Sequence, residues 1–137
     1  MQAELRTIFY EAVKAFGVSE GLPVSVPRAK FDPPKGKTAK YAKAYPLPIE
    51  PVVESVDGLV RYRWLLQVSL FGREDRGDVE LSRHADTLHD EIFPLHSMLV
   101  GAKHTYQIVK PPFPLPSVDD DDGWFSIPVT FTVQTIH

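Results

Sequence analysis

Apolar and polar residues alternate without a break from Leu59 to Phe71, LVRYRWLLQVSLF. Val60, Tyr62, Trp64, Leu66, Val68 and Leu70 share one face, and Leu59, Arg61, Arg63, Leu65, Gln67, Ser69 and Phe71 take the other. Strict alternation, rich in β-branched and aromatic residues and free of Pro and Gly, predicts a strand. The first face is wholly apolar and belongs against a core. The second is polar through Arg61, Arg63, Gln67 and Ser69 but turns apolar at Leu65 and Phe71, so a cover over that end is expected. Thirteen residues span roughly 43 Å, whereas a compact domain of this length is roughly 37 Å across. The strand must bend, or one end must project as half of a hairpin that another subunit covers.

The rest of the chain falls into place around it. Residues 2–16 carry Leu5, Ile8, Phe9, Ala12, Val13 and Phe16 at helical spacing, with Gly17 placed to end the helix as a left-handed cap. Val24 to Val26 reads as a short strand and Tyr41 to Tyr45 as another, with Pro46, Pro48 and Pro51 stopping it. Val52 to Val56 pairs back on the long strand across Asp57-Gly58, a strong hairpin dipeptide. Asp78 is placed to cap a second helix running to about Phe93, where Pro94 bars its continuation. Strands follow from about Lys103 to Val109 and from Trp124 to Ile136, the latter with Pro128 marking an edge or a bulge.

This order, helix, strand, strand hairpin, helix, strand, strand, predicts an α+β fold. We expect a mostly antiparallel sheet of about five strands with two helices packed on one face. Two helices cannot cover both faces of such a sheet, and an uncovered, partly apolar face argues for self-association. The whole chain, 1–137, reads as a single domain with a basic Pro/Lys loop at 28–40 and a Pro/Asp-rich loop at 110–123.

Composition narrows the function. An apolar content of 43% supplies a real core, and the absence of cysteine removes disulfides, thiolate nucleophiles and cysteine metal sites. No apolar run approaches 18 residues and no leader-like series opens the chain, so neither a membrane-crossing helix nor a secretory signal is expected. The net charge of −3 carries no nucleic-acid-binding signature. Its distribution is uneven. Residues 28–43 hold six basic residues against Asp32 alone, while residues 46–137 hold seven basic and fourteen acidic. Such polarity can steer a partner or the head-to-tail packing of identical copies, or belong to ordinary solvated surfaces.

Candidate chemistry is thin. His84 and His89 lie five apart, about 140° around a helix, which spoils a shared metal site. Asp86, His89 and Asp90 read as a solvated helix face, and the four aspartates at 119–122 lack the interspersed glycine and final glutamate of a calcium loop. There is no Gly-rich phosphate cradle and no Gly-x-Ser-x-Gly nucleophile. No catalytic residue, cofactor or metal is expected, so the protein reads as a non-enzyme. The lysine loop can neutralise phosphates, but with only Phe31 among its lysines it offers a poor stacking platform.

The N-terminal IFYEAVKAF, the loop FDPPKG before a Tyr-rich strand, GLVRYRWLLQVSLFGREDRG, a helix ending in IFP and the closing DGWFSIPVTFTVQ form one series. Together they resemble the tail terminator, or tail completion, proteins of long-tailed bacteriophages. The resemblance spans nearly the whole chain. It implies a structural component of the virion, assembled in the host cytoplasm and located in the tail at its junction with the head. It further implies an α/β protomer of which six copies form a ring on the tail tube protein. That ring stops tube polymerisation and offers a surface to a head-side connector protein, with no membrane partner and with DNA passing through it. Closed rotation of one subunit uses two different patches per copy. Arg61 and Arg63, or the lysine loop, are candidates for one patch, and the acidic region with Asp119 and Asp120 for the other. Lys35, Lys37 and Lys40 are candidates for the lumen near the DNA, or for a flat face against tube or connector. Rival readings are another phage neck or minor tail component, a non-viral protein-binding module, and an enzyme whose site forms only between subunits.

Overall fold

The computed structural model describes residues 2–36, 38–46, 52–73, 78–119 and 123–136. Its centre is the expected long strand, here β4 (Leu59–Arg73), which lies antiparallel to β8 (Trp124–Ile136) from Arg61↔Ile136 to Arg73↔Trp124. On its other edge β4 pairs first with β3 (Val52–Val56) and then with β2 (Lys40–Pro46). Two shorter strands laid end to end thus use up the length that one domain diameter could not. The β3–β4 turn holds Asp57 at φ 50° and Gly58 at φ 80°, both left-handed as a two-residue hairpin of this twist requires.

The sheet runs β1-β2-β4-β8-β6-β5, with β3 on β4 and β7 on β8. The strands not yet placed are β1 (Val24–Ser25), β5 (Met98–Val100), β6 (Thr105–Pro114) and β7 (Val118–Asp119). The α+β class holds. The count of about five strands falls short of the eight present, and β1 runs parallel to β2, so the sheet is mixed. The extra strands β5 and β7 are two or three residues long, too short to carry a period.

Both helices, α1 (Gln2–Glu20) and α2 (Val79–Thr87), contact the apolar face of β4 and β8. Phe9 of α1 meets Phe131 at 5.7 Å, and Phe93 stacks on the same ring at 4.4 Å. Leu81 of α2 sits over Gly72, where a Cβ would stand 3.1 Å from its Cδ1. Trp64, Leu66, Val68 and Leu70 are buried here, as are Phe125, Ile127, Val129, Phe131 and Val133.

Three element ends differ from the sequence reading. The first helix continues through Gly17 to Glu20. Gly21, at φ 69°, is the left-handed residue, and the Leu22 N–H donates to the Gly17 carbonyl at 2.8 Å, closing a Schellman cap. Gly17 is needed for close approach instead: a Cβ there would meet Val24 Cγ2 and stand 2.6 Å from the Leu22 carbonyl oxygen. The second helix starts without a side-chain cap from Asp78, whose carbonyl accepts the Ser82 N–H at 2.9 Å, and its last turn, Leu88–Ile92, is π-helical. The widened turn seats both Leu88 and Phe93 in the core. Finally, β6 starts at Thr105 because the Lys103 and His104 N–H groups are taken by the Glu4 carboxylate, at 2.8 and 3.1 Å. It then runs into the expected loop as far as Pro114, with register shifts around Lys110 and Phe113. Prolines are tolerated there because β5 pairs with β6 only over Thr105–Gln107, which leaves the rest of that edge without a ladder to serve.

Glu4 deserves its place in the fold. Its carboxylate also accepts the Tyr106 hydroxyl at 3.0 Å and lies 3.3 Å from His104 Nδ1, tying α1 to the β5–β6 turn. The backbone N–H of Lys103 holds the Glu4 pKa below the usual 4.5, and burial pushes the Tyr106 phenol well up.

Candidate functional site

Among the described residues, no helix lies on the opposite face of the sheet. Along β4 it presents Arg61, Arg63, Leu65, Gln67, Ser69 and Phe71, and along β8 the even residues from Trp124 to Gln134, nearly all half-buried. The expected cover over its apolar end is present. Tyr41 stacks on Phe71 at 4.6 Å, Trp124 meets Tyr41 edge-on at 5.1 Å, and Phe31 from the basic loop closes over Tyr41 at 5.2 Å. The guanidinium of Arg73 lies over the Trp124 ring at 4.9 Å, and Lys43 Nζ over Tyr45 at 4.8 Å.

These side chains frame an open cleft of about 460 Å³, lined by Tyr41, Lys43, Tyr45, Gln67, Ser69, Phe71, Val118, Trp124, Ser126 and Pro128. Lys43 is the charged residue in that lining, and no acid joins it. The lining holds no nucleophile–base pair. Among the described residues no group of three or more His, Asp or Glu is placed to hold a metal. His84 is buried while His89 is exposed beside Asp90 at 2.8 Å, so the two histidines stay apart as the spacing implied.

The charged candidates are dispersed. Arg61 and Glu54 stand opposite each other in the β3–β4 ladder and form an ion pair at 3.4 Å. The Nε atoms of Arg61 and Arg63 are buried without a hydrogen-bond partner. Lys35 is exposed on the basic loop, and Asp119 is exposed on β7 beside the cleft wall. Lys37 and Asp120 lie outside the described residues. Lys40 is engaged within the protomer. Its ammonium pairs with Glu80 and donates to His84 Nε2 at 2.9 Å, and His84 Nδ1 lies 3.3 Å from Glu20. This chain joins the end of α1, the start of β2 and α2. Burial and the adjacent Lys40 charge together hold the His84 pKa below its usual 6.5. Sequence reasoning passed over the cleft because its lining comes from β2, β4, β7 and β8, which only the register brings together. The odd aromatic residues at Tyr41, Tyr45 and Phe71 were its one visible trace.

An α+β protomer with an open cleft on its sheet and dispersed charges fits a subunit of an assembly. Comparison with known proteins agrees with that reading. Residues 4–132 match the family described as phage tail terminator protein. The chain belongs to that family. It is therefore a structural component of the phage virion, placed in the tail. Two solved structures share the fold of this tail terminator family member. One, a protein without a descriptive name, superposes at TM-score 0.71 with 19% identity, covering 98% of this chain and 95% of that chain. The other comes from the virion of a native gene transfer agent particle, at TM-score 0.67 and 14% identity, covering 99% and 97%. A search of curated proteins finds no match.

Proposed function

We propose that six copies of this chain close into a ring on the end of the tail tube, stop tube polymerisation and present a surface for joining to the head-side connector. The observation that carries the reading is the family match over residues 4–132. The uncovered sheet face supports it, since a half-buried, partly apolar face with a cleft is what a subunit keeps for its neighbours. The role is structural, not catalytic.

Within the ring, the Arg61 and Arg63 side of one copy faces the acidic region around Asp119 and Asp120 of the next. Charge reversal at Arg63 is the cleaner probe, because Arg61 already balances Glu54 within the protomer. Lys35, which is exposed, and Lys37 face the lumen, where DNA passes. Lys40 does not act there, because its ammonium is held by Glu80 and His84.

Tube growth followed by light scattering tests the reading. Adding the purified protein to polymerising tube protein should halt elongation at amounts far below one copy per tube subunit, and Arg63→Glu should abolish the arrest. Undiminished growth with the unaltered protein contradicts capping. Salt-sensitive DNA binding by assembled rings, lost in Lys35→Ala with Lys37→Ala, checks the lumen placement. No binding at low salt contradicts it.

A further inference from the structure

We infer that the β3–β4 hairpin of one copy docks in the aromatic cleft of the next copy. The inference rests on the ring reading and names the contact that builds the ring. The hairpin has the form of a free arm. Among the described residues β8 pairs with β4 as far as Ile136, opposite Arg61, and the stretch from Ser55 to Val60 pairs only within the hairpin. On its outer side β3 pairs with no other described strand. Val53 is 56% exposed and Leu59 is 49% exposed, one on each face of the hairpin.

The cleft offers the complementary surface. Its lining sets the rings of Tyr41, Tyr45, Phe71 and Trp124 beside polar Gln67, Ser69 and Ser126, which suits an arm that carries both apolar and polar side chains. Its cation, Lys43, with Arg73 over Trp124 at its rim, suits Asp57 at the turn of the arm. The complementarity runs both ways, because the arm's arginines Arg61 and Arg63 then approach Asp119 on the strand whose Val118 forms the cleft wall. Arm and cleft are different patches of one chain, so the contact is heterologous and its repetition closes a ring or extends a filament. An arm docking in the cleft of its own copy is excluded by topology: both belong to one sheet, and β4 runs straight from the arm past the cleft.

The absence of native cysteine makes the test direct. Ser55→Cys places a thiol on the arm and Val118→Cys places one on the cleft wall, both at exposed positions. The two single variants are mixed, alone and on tail tubes, and treated with an oxidant or a short bismaleimide. The expected result is a covalent heterodimer in the mixture and none with either variant alone, while the double variant gives a ladder that ends at the ring. Caps that form on tubes without any heterodimer overturn the inference and leave capping intact. Copies that associate under no condition overturn both. Lys43→Glu provides a second measurement, read by sedimentation. Self-association should weaken by at least about tenfold, and unchanged association overturns the inference.

Discussion

Replacing Gly17 by alanine tests how the first helix ends and how closely the sheet edge approaches it. At an ordinary helical position the change would stabilise by about 1 kcal/mol, because glycine is the poorer helix former. Here the new methyl meets Val24 Cγ2 and stands 2.6 Å from the Leu22 carbonyl oxygen. The valine can turn aside, but the carbonyl belongs to the backbone that closes the cap and leads into β1. Overpacking of that kind destabilises by about 1–3 kcal/mol, and contact with backbone falls at the upper end. The net expectation is a loss of about 1–2 kcal/mol. With a urea m-value of about 1.5 kcal/mol/M, the unfolding midpoint falls by roughly 1 M. Circular dichroism through a urea titration measures it. Gly21→Ala, at φ 69° in open space, should lose about 1 kcal/mol from backbone strain alone. Asparagine at position 21 should recover most of that loss, because it tolerates the left-handed region, whereas asparagine at 17 should recover nothing. A midpoint for Gly17→Ala equal to or above that of the unaltered protein would refute the close approach.

Phe131→Ala removes a buried ring held by Phe9 and Phe93 and should destabilise by about 3–5 kcal/mol in the same titration; a loss below about 1.5 kcal/mol would contradict that packing. Because the folded-state pKa of His84 lies below 6.5, its contribution is present above that value and is lost as pH falls from 6.5 toward the folded pKa. Thermal unfolding of His84→Gln should lack this drop. Glu4, lowered from 4.5, acts at more acid pH: its contribution is lost as pH falls below 4.5, and Glu4→Gln should flatten that limb. Gly101→Ala would set a Cβ 2.6 Å from Glu4 Oε1 and displace the carboxylate. Hydrogen exchange at the Lys103 and His104 amides should then quicken, with slow exchange in the variant speaking against the clamp.

What the sequence made legible follows from where the period is strong. The thirteen residues from Leu59 to Phe71 and those from Trp124 to Ile136 alternate cleanly, and both strands appear with nearly the expected bounds. The Asp57-Gly58 hairpin was equally plain, since few dipeptides tolerate two left-handed residues in a row. The strands missed, Met98–Val100 and Val118–Asp119, are too short for alternation to register and exist only because a partner lies alongside. Gly17 misled because two glycines four apart both suit a helix end, and only the packing against Val24 and Leu22 separates their tasks. The proline run at 110–114 read as a loop because the rule against proline in strands assumes a partner on both edges. Among charged residues, Lys40 shows how little sequence says of engagement. Its two partners in space, Glu80 and His84, stand forty or more residues away along the chain.

Electron microscopy of tail tubes mixed with the purified protein tests the central claim most directly. The account predicts a six-fold ring seated on one end of each tube, with tube length fixed from the moment of addition. Tubes whose two ends remain bare, or protein bound along the tube wall, would contradict it.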